Sequence, residues 1–335
     1  MCGKEVTIKI EAIPMPCGDF FIMEYEGRSG AKHVLVLDMG TQAAYREKGR
    51  EALRRYEAID LCVLSHIHDD HIGGALKYVD DVRGGLYVPE IKQWWFNAQR
   101  VFTPIQESKA SEPISVIQAN RIAMYLSNHY DGKGWRNEIK RGEMFDFDGL
   151  KIYVLSPAEA KLYAAAPYHE DEQNVIPIAV SQNDYTIKVN EFDMNSFVED
   201  QSDYNIHSIA LLLEYEGRRF LWMADAVPSV LIQSLRELGY SEENPVQCEY
   251  MTLSHHGSKG NTSLELLSLI RCNKYIITGN GMNTYNLPNK ETLARFFHQF
   301  RGDVQLYATS LSWQLKKVFE EDGKYKIEEK STFEM

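Results

Sequence analysis

The sequence lacks the features that would commit it to a membrane, an oxidising compartment or a nucleic-acid duplex. No run of about 18 apolar residues occurs in its 335 positions, so no membrane-spanning helix is expected. The start, MCGKEVTIKIEA, has neither the basic segment nor the apolar run of a secretory signal. Cysteine is scarce: Cys2, Cys17, Cys62, Cys248 and Cys272 form an odd set of five without CxxC spacing. That argues against a disulfide framework and for reduced thiols in the cytosol. Cys62, inside the apolar run LCVL, reads as a core thiol. No Pro/Gly/Ser-rich stretch, low-complexity tract or repeat marks a linker, so a single domain over 1–335 is expected. A basic stripe is missing too, and the formal net charge is −12. Tight, sequence-blind binding of duplex phosphates by this chain alone is therefore disfavoured. A nuclease is not excluded, because metal ions can supply local positive charge.

What is present is an ordinary globular balance, 44% hydrophobic and 25% charged, long enough for a well-buried core. VTIKIEAI, FFIMEY and HVLVLD read as strands, broken by the turns CGD and GRSG. A helix is expected from Thr41 to about Tyr56. The buried strand LCVLS then runs into HIHDDHIGG, with a helix from about Ile72. A further helix is expected over Glu112 to Ser127, and two short strands about the turn Asp148-Gly149. From about 158 to 204 the chain turns polar and acidic (HEDEQN, NEFDMN, VEDQSDYN), which reads as an acidic surface insertion or, alternatively, an active-site lid. HSIALLLEY and RRFLWMAD form a hairpin about Gly217. YMTLS, KYIITG, VQLYAT and WQLKKVF read as strands, with helices near Pro228 to Leu238, Leu264 to Ile270 and over ETLARFFHQF. Strand-rich halves, each finished with helices, predict an α+β architecture of two packed sheets with helices outside.

The segment LSHIHDDHIGG places His66, His68, Asp70 and His71 within six positions after a buried strand. Imidazole and carboxylate are the donors that zinc and its neighbours prefer. Residues two apart in extended backbone point the same way, so His66 and His68 can grip one ion. Asp70 and His71 then turn toward a second position, and Gly73-Gly74 lets the helix begin close to the cluster. A plain polar loop would have to account for three imidazoles and two carboxylates in six residues. His129 and His169 read as exposed histidines before they read as ligands. Trp94-Trp95 reads as buried aromatics before a base-stacking pair. No G-x-S-x-G and no catalytic-cysteine setting is visible.

HxHxDH followed by GG resembles the metallo-β-lactamase superfamily, and the order of further motifs agrees over most of the chain. LVLDMG resembles the first motif, with Asp38 as the carboxylate supporting the metal loop. WMADA places Asp225 at the end of an apolar strand, where that superfamily has its metal-bridging aspartate. LSHHGSKGNTS resembles the motif in the soluble hydrolase domain of the ComEC DNA-uptake protein and related phosphoesterases. CGDFFIMEY and GEMFDFDGLKIYVLSP resemble that branch more faintly.

The resemblance implies an αββα sandwich with ligands on strand-end loops. It implies two divalent ions, zinc first and manganese second, that share Asp225 and a bridging hydroxide. The implied ligands are His66, His68, Asp70, His71, Asp225 and His256. His255 is then the neighbouring acid–base or substrate-contacting residue, with the reverse order open, and Asp70 stands beside it as a candidate catalytic group. His207, 18 residues before Asp225, is a candidate third-motif ligand. The ComEC branch tends to show asparagine and serine there, as Asn205 and Ser208 do. That branch also tends to carry a His-Pro pair after the last core strand; Tyr285-Asn286-Leu287-Pro288 stands here instead, without the imidazole. Ser258 and Lys259 are candidates to hold a phosphate oxygen, a solvated lysine being the plainer alternative. The implied activity is phosphodiester hydrolysis on nucleic acid or a nucleotide, with no membrane partner. The alternatives are hydrolysis of a small phosphoester such as a phosphocholine ester, of a lactone or of a thioester, and an inactive binding module. A di-iron oxidoreductase would need a flavin partner domain that the sequence does not show.

Overall fold

Side chains alternate along a strand, and here both alternating sets are apolar. In the strand Phe21–Glu26, Phe21, Met23 and Tyr25 face one way and Ile22 the other. In Lys32–Leu37, Leu35 and Leu37 oppose Val34 and Val36; in Leu61–Leu64, Leu61 and Val63 oppose Cys62 and Leu64. The pattern repeats in Ala210–Tyr215 and Arg218–Trp222, where Leu211, Leu213, Phe220 and Trp222 oppose Ala210, Leu212 and Leu221. Sheets built this way must be covered on both faces.

The computed structural model describes residues 8–98, 114–159, 183–301 and 304–335. It covers those faces in four layers. The first sheet runs in the order Thr332–Glu334, Lys9–Ala12, Phe21–Glu26, Lys32–Leu37, Leu61–Leu64, Trp94–Phe96, Trp135–Arg136. The second runs Ile327–Glu329, Gln305–Ala308, Lys274–Ile277, Tyr250–Thr252, Arg218–Trp222, Ala210–Tyr215, Leu150–Ser156, Met144–Phe147. Both mix parallel and antiparallel pairs. Their inner faces meet in one core, with Phe21 against Phe220. Outside the first sheet lie the helical run 42–53, Asp69–Arg83 and Ile114–His129, burying Leu53, Ile72, Leu76 and Ile122. Outside the second lie Pro228–Glu237, Leu264–Ser268 and Lys290–Phe300, burying Leu231, Leu235, Leu267 and Phe296. Each such side chain contributes roughly 1.5–3 kcal/mol on burial, so both outer layers are firmly attached. This is the αββα sandwich of the α+β class.

Several elements differ from expectation for local reasons. The WQLKKVF segment is not a strand: Leu315, Val318 and Phe319 are buried at helical spacing, and Ser312 Oγ accepts from Gln314 N and Leu315 N, winding the chain into a short 3-10 turn. The terminal strand Thr332–Glu334, not anticipated, pairs antiparallel with Lys9–Ala12. The helix after Asp38-Met39-Gly40 widens into a π turn over Tyr45–Gly49, where Gly49 leaves room for the Phe20 ring. Both expected hairpins are present, turning at Asp148-Gly149 and Glu216-Gly217, four residues with positive φ. Of the acidic stretch at 158–204, residues 160–182, His169 among them, lie outside the described residues. The part from 183 to 204 is more than a surface excursion. Asp184 accepts from the backbone N–H of Lys290 and Glu291 at a helix start, and Asp200 N donates to Gly260 O. Among the described residues no helix is long and apolar enough to cross a membrane.

Candidate metal centre

The strand Leu61–Leu64 ends at Ser65, and the chain enters a helix at Asp69, three residues sooner than expected. Carboxylates in a first helical turn are favoured by the helix dipole, and Asp69 and Asp70 occupy that turn. Asp70 and His71 are therefore aimed by helix geometry rather than by a loose loop. Gly73 and Gly74 make the approach possible. A Cβ on Gly74 would lie 2.0 Å from Met39 O, and one on Gly73 3.0 Å from Gln42 N. Gly74 N instead donates to Gly40 O at 2.8 Å. Asp38, fully buried with φ 53°, anchors the segment. Its Oδ1 accepts from Ser65 N (2.7 Å), and its Oδ2 lies 2.6 Å from both Ser65 Oγ and His71 Nδ1. Burial pushes the Asp38 carboxyl up to about 6, against the opposing pull of His71.

Asp225 follows the strand Arg218–Trp222, and its backbone N–H donates to Ser208 Oγ at 3.1 Å. Facing it is the turn Ser254–Gly257, where His255 and His256 are left-handed (φ 49° and 55°) and Gly257 has φ 90°. Left-handed backbone at non-glycine residues costs roughly 1–3 kcal/mol each. Four hydrogen bonds hold the turn: His255 N to Ala224 O (2.8 Å), Ser258 N to His255 O (2.8 Å), Ser254 Oγ to Ala226 O (2.7 Å) and Asn289 N to Gly257 O (3.0 Å). The strand alternation that would send neighbouring side chains apart does not operate here, and both rings reach Asp225.

Four imidazoles share one arrangement, with Nδ1 tied back and Nε2 facing the Asp225 carboxylate. His71 Nδ1 is held by Asp38, and its Nε2 lies 3.3 Å from Asp225 Oδ1. His256 Nδ1 lies 2.8 Å from Thr278 Oγ1 and 3.5 Å from Asp19 Oδ1, and its Nε2 3.7 Å from Asp225 Oδ1. His66 Nδ1 meets Ser65 Oγ (3.0 Å) and Ser208 Oγ (3.5 Å), and its Nε2 lies 3.5 Å from Asp225 Oδ2. His255 Nδ1 meets Asp200 Oδ2 (3.2 Å) and Asn261 Oδ1 (3.1 Å), and its Nε2 lies 3.7 Å from Asp225 Oδ2. The last two donors divide likewise. His68 Nδ1 is 2.9 Å from His66 Nε2, and Asp70 Oδ2 is 3.1 Å from His256 Nε2.

Charge is crowded here. Burial opposes ionisation of Asp225, yet His71, His255, His256 and His66 hold its carboxyl well below the usual range. Burial and the neighbouring His71 push His66 well below the ordinary histidine value. Burial also opposes protonation of His71, but Asp225, Asp38 and Asp70 outweigh it and raise that ring. Asp225 Oδ1 is buried and accepts no hydrogen bond, although two imidazole nitrogens approach it. A buried, unbonded carboxylate oxygen ringed by nitrogen donors fits divalent cations. Among the described residues, three sets of donor atoms lie within 4.8 Å of one another: His66, His71 and Asp225; Cys17, Asp70 and His256; Asp19, Asp38 and His71.

His207 belongs to none of these sets and is only half-buried. Its neighbours do reach the centre: Ser208 touches His66 and Asp225, and Asn205 Nδ2 lies 3.2 Å from His255 Nδ1. Ser258 Oγ accepts from Gly260 N, while Lys259, about half exposed, approaches Glu291 at 3.8 Å. His129 ends a helix with Nδ1 2.8 Å from Tyr125 O. Trp94 and Trp95 are both buried in a strand. The structure adds groups that sequence reasoning passed over: Asp19, Asp200, Asn261, Thr278 and Cys17. Asp200 was hidden in the acidic stretch. Asn261 lies inside the quoted LSHHGSKGNTS run, and Asp19 within CGD, so motif context could have flagged both.

No protein-family model matches the chain, and no curated protein does. Solved structures similar to it include the metallo-beta-lactamase fold protein YhfI from Bacillus subtilis, 9% identical over 98% of this chain and 99% of that one, with a TM-score of 0.44. A diphosphatase of the PhnP family is 10% identical over 99% and 97%, with a TM-score of 0.41. Zn(2+)-bound PqqB from Methylobacterium extorquens is 11% identical over 88% and 96%, with a TM-score of 0.43. Likenesses this distant bring no activity or substrate to this chain, and its αββα architecture stands on the strand order and the three cores.

Proposed function

We propose that the chain is a metal-dependent hydrolase of phosphodiesters, with nucleic acid or a nucleotide as its substrate class. The observation that carries the reading is the division of donors about Asp225. His66, His68 and His255 would hold one cation with Oδ2, and Asp70, His71 and His256 the other with Oδ1. Divalent cations, zinc first and manganese second, supply Lewis acidity there, acidifying water and offsetting charge on phosphoryl oxygens. The residues behind the donors do the positioning. Asp38, Asp200 and Thr278 fix which imidazole nitrogen faces inward, the role that outer partners of metal-binding histidines commonly play.

Access also differs among the donors. Asp70 and His255 keep 31% and 24% of their side chains exposed, whereas His66, His71, His256 and Asp225 keep 2% or less. His68 is likewise only partly buried, so substrate approaches along His68, Asp70 and His255. What favours a phosphoester over a carbonyl ester is the run Ser258-Lys259 directly beyond the turn, a hydroxyl and a half-exposed ammonium adjacent in sequence to His255 and His256. A reducing, cytosolic setting belongs to the same proposal and rests on the odd, unpatterned set of cysteines in the sequence.

The test is metal analysis paired with two substrates. Protein reconstituted with zinc or manganese is expected to hold about two ions per chain and to cleave bis-p-nitrophenyl phosphate in preference to p-nitrophenyl acetate. Absence of stoichiometric metal would sink the metal reading. Faster turnover of the acetate would move the activity to carbonyl esters such as lactones or thioesters.

A further inference from the structure

Cys17 stands outside the two ligand sets proposed to share Asp225, yet its loop is pinned against the centre. Asn280 N donates to Pro16 O (2.8 Å), Gly18 N to Thr278 O (3.3 Å), and Cys17 pairs with Gly279 in an isolated bridge. Gly18 has φ 130°, and a Cβ there would lie 2.4 Å from Asp70 O, so only glycine lets the loop sit this close to the helix start. Held in this way, the Cys17 sulfur, the Asp70 carboxylate and the His256 imidazole lie within 4.8 Å of one another. The unbonded, buried Asp225 Oδ1 lies 3.7 Å from the same His256 Nε2. The other described cysteines, Cys62, Cys248 and Cys272, belong to no such set.

We propose that Cys17 is a thiolate donor to the cation position built by Asp70, His71 and His256, biasing that position toward zinc or cobalt over manganese. The inference rests on the metal reading of the same centre. Thiolate is the softest donor there; it selects zinc-like cations, whereas carboxylate and water suit manganese. As the sulfur–cation bond forms, the thiol proton leaves to solvent and no oxidation state changes.

Cobalt(II) reads the donor set without reference to turnover. Sulfur ligation adds a strong sulfur-to-cobalt charge-transfer band in the near ultraviolet, while the visible ligand-field bands report occupancy with any donors. The full chain loaded with cobalt is expected to show the charge-transfer band, to lose it in Cys17→Ser and to keep it in Cys272→Ser. Zinc affinity should fall in Cys17→Ser by at least the roughly 10- to 100-fold that losing an outer partner costs, with manganese affinity changed less. In unmutated protein, zinc should suppress iodoacetamide labelling of Cys17 as mapped by mass spectrometry, a readout that does not depend on the variant folding. Cobalt bound without a charge-transfer band, a band that survives Cys17→Ser, or labelling indifferent to zinc would overturn the thiolate assignment and leave the metal reading standing. Failure of cobalt to bind at all would overturn both.

Discussion

His71 and His255 stand on opposite sides of Asp225, and each is backed by a carboxylate at Nδ1: Asp38 behind His71 at 2.6 Å, Asp200 behind His255 at 3.2 Å. Their supports are unlike. His71 lies in the first turn of a regular helix, and Asp38 is sealed in the core with both oxygens hydrogen-bonded. His255 sits at φ 49°, and Asp200 reaches it from the acidic stretch, sharing its carboxylate among Ser202 N, Asn205 and Asn261. One side of the centre is preorganised by local secondary structure. The other is assembled from three segments distant in sequence, around a strained turn, and should be the softer side.

The shared carboxylate comes first, because its loss removes the comparison altogether. Asp225→Ala is expected to bring turnover to background and to strip both cation positions while the circular-dichroism spectrum stays native. Near-normal activity in that variant would mean the two sides do not meet at Asp225. The anchors come next. Asp38→Asn should lower metal affinity by roughly 10- to 100-fold and destabilise the fold by about 1–3 kcal/mol, since the buried network loses one of its two acceptor oxygens and gains an NH2 facing other donors. Asp200→Asn should match it in metal affinity but cost less stability, because its surroundings are nearer the surface. Denaturant titration beside metal titration separates the two. Equal stability losses would erase the distinction between a rigid and a soft side.

The adjacent histidines of the turn sharpen the comparison further. His256→Ala should empty the position shared with Asp70 and His71. His255→Ala should empty the other, because its Nε2 faces Asp225 Oδ2 in the same way. The competing role for His255 is proton donor to the leaving group. Under that role both ions would stay and turnover would fall roughly 10²- to 10⁴-fold. The loss would then be smaller for p-nitrophenyl diesters, whose leaving group departs without a proton. Elemental analysis of the two variants decides between the roles.

The same contrast explains what was legible in the sequence. The side built on HIHDDHIGG could be read because its donors are nearly consecutive after a buried strand, although the helix that aims Asp70 and His71 begins three residues sooner than the pattern suggested. The glycine pair was legible because it follows the cluster directly, and Asp38, at the end of the strand Lys32–Leu37, was legible through the resemblance of LVLDMG to the first motif. The two sheets and their helices followed from short apolar runs such as HVLVLD and LCVLS, which read as strands buried on both faces. The side built on the SHHG turn was legible as residues but not as geometry. The resemblance implied divided roles for His255 and His256, and two successive left-handed residues that bring both rings to Asp225 cannot be foreseen from strand periodicity. Asp200, Asn261 and Thr278 come from segments whose approach to the turn is fixed only by tertiary packing. The WQLKKVF segment failed for a simpler reason: a short apolar run fits period two and helical spacing alike.

The smallest expected effect on the centre comes from an ion pair outside it. Asp81 lies on the Asp69–Arg83 helix, whose first turn carries Asp70 and His71, but more than two turns further along. Its buried carboxylate accepts from Arg50 (Nε at 2.6 Å, Nη2 at 3.1 Å) and pairs with Lys77 at 3.1 Å, tying this helix to the run 42–53. Burial alone would raise the Asp81 carboxyl; the hydrogen bonds from Lys77 and Arg50 outweigh it and hold it below the ordinary carboxylate range. A carboxyl with a lowered folded pKa contributes stability above its unfolded value, about 3.9, and loses that contribution as pH falls toward the folded value. Asp81→Asn should therefore cost about 1–3 kcal/mol at neutral pH, and the gap to the unmutated protein should narrow only below about pH 4. Metal stoichiometry and turnover at neutral pH should be unchanged, because the helix start is positioned by Gly73-Gly74 against Met39 and Gly40 rather than by this pair. Urea unfolding across pH, run beside metal analysis, checks both halves. Loss of metal in Asp81→Asn would show that the rigidity of the Asp38 side belongs to the whole helix and not to its first turn.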